Sequence, residues 1–229
     1  AAAQGLMAGI NAALYLQGES PFILARSEAY IGVLIDDLVT KGTREPYRMM
    51  TSRSEYRLLL RQDNADLRLT EKGRQIGLVK DNRYAIFTKK KQDIEKGIKL
   101  LKECPVNPSK ETQEILEKLG TAPIKTGIRA YDLVKRTELS YGMVAEAFGI
   151  ERFNPDVEEA IDISTTYEGY IKKQMDQVDK VRKLEEKILP PDWDYMAMKG
   201  ISLEAQQKLT KIRPHSIGQA SRISEIGRA

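Results

Sequence analysis

The residues of this chain best suited to chemistry are the arginines of TREPYRMMTSRSEYRLLLRQDNADLRLTEKGR, residues 43–74. Arg53, Arg57 and Arg61 stand four apart, so on a helix they form one guanidinium ridge. Thr51 or Ser52 can cap such a helix by accepting a hydrogen bond from a first-turn amide. Glu55 lies at capping-box distance from Ser52, and the run to Leu60 carries the helix on. Arginine grips phosphate through two parallel hydrogen bonds and stacks on bases. A ridge of this kind beside Tyr47 and Tyr56, extended by Arg68, therefore suits an RNA surface. The same pattern also fits an ion-pair network in which Glu55, Asp63 and Asp66 neutralise the arginines.

Other chemistry finds little to work with. Cys104 stands beside Pro105 without basic neighbours patterned to activate it, and reads as an incidental thiol. His215 has no Ser and Asp partners at triad spacing, and one His with one Cys makes no metal-ligand cluster. No GxGxxG loop occurs to cradle a dinucleotide. Trp193, between Asp192 and Asp194, reads as an anchor over a helix end, with a stacking role as the alternative.

The elements around the arginines come from patterning. The chain has 229 residues, 41% hydrophobic and 31% charged, enough for one or two compact units. No apolar run approaches the ~20 residues of a membrane span, no targeting peptide is visible, and the sequence is expected to begin inside an element. With its lone cysteine, the chain is expected to be a soluble, cytoplasmic protein without a structural metal. The net charge is +4, and residues 41–74 hold nine Lys/Arg against five Asp/Glu, so that one stretch accounts for all of it.

The expected fold class is mainly α. Residues 1–17 read as a helix with Ala1, Gly5, Ala8 and Ala12 on one face, and 29–39 as a second, stopped near Gly42; Glu45-Pro46-Tyr47 is a turn. A long amphipathic helix spans 81–103, a shorter one 110–119, and helical turns 130–136 and 141–148. The strongest period, Tyr167, Ile171, Met175, Val178, Val181, Leu184 and Ile188, predicts one central helix from about Val157 to Leu189. Gly169 within it predicts a close packing contact. Two short helices, 203–212 and 216–223, follow, with Ser216 as a cap.

AAAQGLMAGINAA at the start resembles the end of the signature that follows the FAD-binding fold in the GidA/MnmG family. The likeness continues through SEAYIGVLIDDLVTKGTREPYRMMTSRSEYRLLLRQDNADLRLTEKGRQIGLV. TYEGYIKKQ, ILPPDWDY and IRPHSIGQASRIS resemble the family's C-terminal helical region, while residues 105–155 match only loosely. The resemblance divides the chain into 1–24, the remnant helix of a missing FAD-binding α/β domain; 25–80, a basic segment near the flavin and tRNA; 81–155, a helical region; and 156–229, a C-terminal domain that docks a partner.

That resemblance implies a tRNA-modifying protein using FAD and NADH and acting with the GTPase MnmE. Together they place an aminomethyl or carboxymethylaminomethyl group, its carbon drawn from folate, on carbon 5 of the wobble uridine. The longer protein is implied to be a homodimer. Gln4 and Gly5 fall where the family's helix abuts the flavin, and Arg48 and Arg57 match arginines that handle tRNA; Arg53, Arg61 and Arg68 are added from charge and spacing. Tyr170, Lys172 and Lys173 fall in the MnmE-contacting region, and Gly218, with Ala220 and Ser221, permits close approach of a partner backbone. Tyr167 and Ile171 share the apolar stripe and read as core before interface. No catalytic residue is assigned, and this piece alone is expected to be inactive. The rival reading is a protein-interaction module whose basic face packs on the missing flavin domain.

Overall fold

Four of the described helices open on a serine cap, and a fifth opens on Pro155. The computed structural model describes residues 2–40 and 47–223. Along the chain run α1 (Ala2–Leu16), α2 (Tyr30–Thr40), α3 (Ala65–Gln75), α4 (Asp81–Glu103), β1 (Pro105–Val106), α5 (Lys110–Lys118), β2 (Ile128–Arg129), α6 (Ala130–Val134), α7 (Tyr141–Phe148), α8 (Pro155–Thr166), α9 (Glu168–Glu185), α10 (Leu203–Ile212) and α11 (Ile217–Ser221). Ser109, Ser140, Ser202 and Ser216 each accept a hydrogen bond from a first-turn amide, the stabilising device expected where four amides lack helical partners. The mainly α class is observed. The helices at 81–103, 141–148 and 203–212 fall on the expected residues.

The chain forms two units, one contiguous (Arg61–Lys172) and one built from Ala1–Leu60 with Lys173–Ala229. In the contiguous unit, α4 lies across α8, with Leu101, Leu116, Leu133, Tyr141, Val144 and Ile161 in a closed core. Gly97 lets the two helices meet: a Cβ there would stand 2.4 Å from Ile161 Cδ1. Tyr141 is fully buried and its hydroxyl donates to the Glu151 carbonyl at 2.6 Å, satisfying the one polar atom the ring carries inside. Pairing of Pro105 with Arg129 and Val106 with Ile128 makes a two-residue antiparallel ladder that the sequence pattern does not announce.

In the discontinuous unit, Asn11 fastens α1 to the segment after it: its amide donates to the Phe22 carbonyl at 3.0 Å and accepts from the Phe22 amide at 2.7 Å. Only Met7 of α1 is buried, and Tyr15 and Leu16 are 82% and 84% exposed. Gly32 of α2 sits against the backbone of Leu24 and Ala25, where any Cβ would meet carbonyl oxygens at 2.4 and 2.5 Å.

Three expectations are corrected. The central helix is two helices broken at Tyr167, which takes φ −96°, ψ 10°, and the second ends at Glu185. Beyond it, Ile188 bridges Ser216 and the Leu189 amide donates to the His215 carbonyl, so tertiary pairing replaces the last helical turn. The stripe on α9 is half-covered rather than core, with no buried residue, and Gly169 has nothing within 4 Å of its would-be Cβ. The helix expected from Thr51 or Ser52 to Leu60 is instead a 3-10 turn, Thr51–Arg53, followed by an extended, buried Ser54 and further turns. Helix α3 was not expected. Lys41, Gly42, Arg44, Glu45 and Pro46, with the predicted helix stop and the start of the turn, lie outside the described residues, as does Ala1.

Candidate nucleic-acid interface

A buried arginine organises the segment that carries the exposed ones. Arg26, 7% exposed, lies in the turn that Gly32 holds against α2. Its guanidinium donates to Asp37 at 2.8 Å, to Asp36 at 2.9 Å, to both oxygens of Glu55 at 2.8 and 3.0 Å, and to the Arg53 carbonyl at 3.3 Å. Burial opposes the charge, but the hydrogen bonds to Glu55 and Asp37 outweigh it and hold the guanidinium pKa above its ordinary value. Asp37 is 1% exposed, so deleting Arg26 would take a neutralising charge from a buried carboxylate, and breaking such a buried pair typically costs roughly 3–5 kcal/mol.

The network also explains why residues 51–60 are not helical. Glu55, which a capping box would turn back toward Ser52, reaches Arg26 twenty-nine residues earlier. The Tyr56 amide donates to the Ser54 hydroxyl at 3.3 Å, and Tyr56, Leu59 and Leu60 turn inward. Arg53, Arg57 and Arg61 therefore form no helical ridge.

Arg48, Arg53 and Arg57 are all exposed, and among the described residues none forms an ion pair. The Arg53 guanidinium lies 4.8 Å over the Tyr47 ring, and the Tyr47 hydroxyl donates to Asp37 at 2.7 Å. Burial and then that hydrogen bond push the Tyr47 phenol up to about 12. Arg61 and Arg68 belong to the other unit and are engaged locally. Arg61 grips Asp63 at 3.0–3.2 Å, and Arg68 donates to Asn64 at 2.9 Å and to the Arg61 carbonyl at 3.0 Å. Asp66 pairs with Lys90 at 2.8 Å. An ion-pair network thus describes Arg61, and the exposed trio stands outside it.

A cleft of about 1170 Å³ opens within the discontinuous unit, walled by Met7, Phe22, Ile35, Val178 and Val181, with Arg222 at its rim. Gln4 lines it; Gly5 is exposed, and a Cβ there would have nothing within 4 Å. For FAD these residues supply one amide and one small surface but no amide-lined loop for a diphosphate, so this chain's residues do not by themselves fit the group. Burial pushes the Cys104 thiol up, away from reactivity, and no group of three or more His, Cys, Asp or Glu able to hold a metal occurs among the described residues. No described helix is long and apolar enough to cross a membrane.

Tyr170, Lys172 and Lys173 are exposed on α9, Tyr170 by 65%. Gly218 is buried: a Cβ there would stand 2.6 Å from the Glu185 carboxyl carbon, so its missing side chain admits Glu185 to the first turn of α11. Glu185 accepts from the Ser216 hydroxyl and from Arg222. Arg222 also grips Asp36 through two bonds of 2.8 Å. Sequence reading missed Arg26, Asp36, Asp37, Glu185 and Arg222. The available signal was Asp36-Asp37 inside an apolar run, because two adjacent carboxylates on a buried helix require cations.

Comparison with known proteins places this architecture. The profile described as "tRNA modifying enzyme MnmG/GidA C-terminal helical domain" matches residues 81–175, and that described as the family's "C-terminal helical bundle" matches 177–228. The chain is 57% identical over 231 residues to the tRNA uridine 5-carboxymethylaminomethyl modification enzyme MnmG of Clostridium kluyveri, and 55% identical over 230 residues to that of Bacillus subtilis. Each alignment covers 100% of this chain and 37% of the relative. Aquifex aeolicus GidA in its form II crystal superposes with a TM-score of 0.81 at 42% identity, covering 99% of this chain and 35% of that one. The chain thus spans little more than a third of its relatives' length, and with both C-terminal profiles matched in order it belongs to the MnmG/GidA family as a C-terminal part.

Proposed function

We propose that this chain is the RNA-engaging and partner-engaging part of a cytoplasmic enzyme that, with FAD, NADH and the GTPase MnmE, modifies carbon 5 of the wobble uridine of tRNA. The group installed is aminomethyl or carboxymethylaminomethyl, with folate supplying the carbon, and the longer protein acts as a homodimer. The observation that carries the RNA part is the exposed trio Arg48, Arg53 and Arg57, which form no ion pair among the described residues, on a segment fixed by a buried charge network. Such groups need no ion pair broken before they meet phosphate. Arg61 and Arg68, already engaged, support the turn into α3 and add positive potential.

Tyr170, Lys172 and Lys173 are proposed for the GTPase, with Gly218 shaping the first turn of α11 by admitting Glu185. Gln4 and Gly5 are proposed as an edge of a flavin site whose main part corresponds to the portion of the relatives outside the aligned residues. The test is tRNA binding across a salt series, with Arg48→Ala and Arg57→Ala beside the unaltered protein. Salt-sensitive binding weakened by either substitution supports the reading, since each phosphate contact releases counterions. The rival, a purely protein-docking module, has the exposed apolar side chains of α1 in its favour. Salt-insensitive binding unaffected by both substitutions would select it.

A further inference from the structure

Arg53 is held at both ends by one buried carboxylate. Asp37 accepts from Arg26, whose other terminal nitrogen donates to the Arg53 carbonyl, and Asp37 also accepts from the Tyr47 hydroxyl, whose ring lies beneath the Arg53 guanidinium. The backbone and the side-chain tip of Arg53 are thus both referred to Asp37. A guanidinium stacked on a ring keeps its N–H donors in its own plane, at the edges, where they remain able to bond phosphate. A free arginine side chain loses rotamer entropy on binding; one stacked in advance loses less.

We propose that Tyr47 is a positioning residue, acting through its bond to Asp37 to hold Arg53 ready for a tRNA phosphate. The proposal rests on the RNA reading above. Tyr47 touches no substrate in this scheme, and its whole effect passes through Arg53.

The experiment is a double-mutant cycle in the full-length protein that carries this region. The affinity for a wobble-uridine tRNA is measured for Tyr47→Phe, Arg53→Ala and the double variant, with circular dichroism confirming folding. Tyr47→Phe keeps the ring and removes the hydroxyl, and with it the bond to Asp37 and the weaker 3.6 Å contact with Met49 Sδ. Expected are a loss of about tenfold for Arg53→Ala, about threefold for Tyr47→Phe, and no further loss when the second change is added to the first. Additive losses, or no loss from Tyr47→Phe, would overturn the positioning role. If Arg53→Ala is silent while Arg48→Ala or Arg57→Ala weakens binding, this inference fails and the RNA reading stands. If all three arginine variants bind as the unaltered protein does, both fail together.

Discussion

Arg222 grips Asp36 across 186 positions of sequence, two bonds of 2.8 Å between two side chains that are each about one-sixth exposed. The pair ties α2 to the segment after α11, and Asp36 is shared with Arg26. Arg222→Ala is therefore expected to lower stability by roughly 1–3 kcal/mol, below the value for a fully buried pair because Arg26 still faces Asp36. Arg222→Lys should recover less than half, since a point charge cannot make the two-bond grip. Urea unfolding measures both, and full recovery by lysine would argue against the geometry.

Gly32 reverses an ordinary rule. Gly→Ala inside a helix commonly gains about 1 kcal/mol. Here the added methyl meets two backbone carbonyl oxygens that cannot rotate away, so Gly32→Ala should lose about 1–3 kcal/mol and loosen the turn that carries Arg26. Thermal unfolding reads the sign directly. A rise in Tm would mean that residues 24–25 do not lie against α2.

Three of the phenols are pushed up furthest. Burial, followed by Asp37, Glu168 and Glu158 respectively, pushes Tyr47, Tyr131 and Tyr141 up to about 12 from an ordinary 10.0. The folded state then keeps protons that the unfolded chain has released, so this contribution to stability is complete below pH about 10 and falls as pH rises toward 12. Absorbance at the phenolate band should show a late fraction, and Tyr141→Phe should shrink it. That substitution should also cost about 1 kcal/mol for the lost bond to Glu151.

Paired and unpaired arginines should separate in salt. Arg57→Ala is expected to weaken tRNA binding by about 1–3 kcal/mol and to reduce the slope of log K against log salt by about one. Arg61, clasped by Asp63, should change that slope little and instead lower the unfolding temperature of its own unit. Equal slopes for the two variants would put Arg61 in direct contact with RNA.

The sequence made local structure legible and long-range chemistry illegible. The span of α4 could be read from its apolar period and the proline after it, and α11 from Ser216, because those signals lie within a few residues of what they control. Residues 51–60 were misread because Glu55 obeys a partner twenty-nine positions away rather than Ser52 three positions away. The break at Tyr167 was hidden for the opposite reason: the apolar period runs through it unbroken, while the backbone does not. Of the candidate site, charge and spacing point to Arg53 and Arg57, and the family resemblance to Arg48 and Arg57. They could not find Arg26, an isolated basic residue whose meaning depends on α2 lying beside it.

The discontinuous unit bears on how the protein is made. Residues 61–172 are contiguous, so that unit can close as soon as it leaves the ribosome, whereas the unit containing Arg26 needs residues from both sides of it. At about 5–20 residues per second, Arg222 emerges about 10–40 s after Asp36. Over that interval the nascent chain holds an arginine turn and two carboxylates beside an apolar α1, with the second guanidinium not yet synthesised. The segment that carries Arg48, Arg53 and Arg57 is then among the last to settle, although it is translated ahead of the whole contiguous unit.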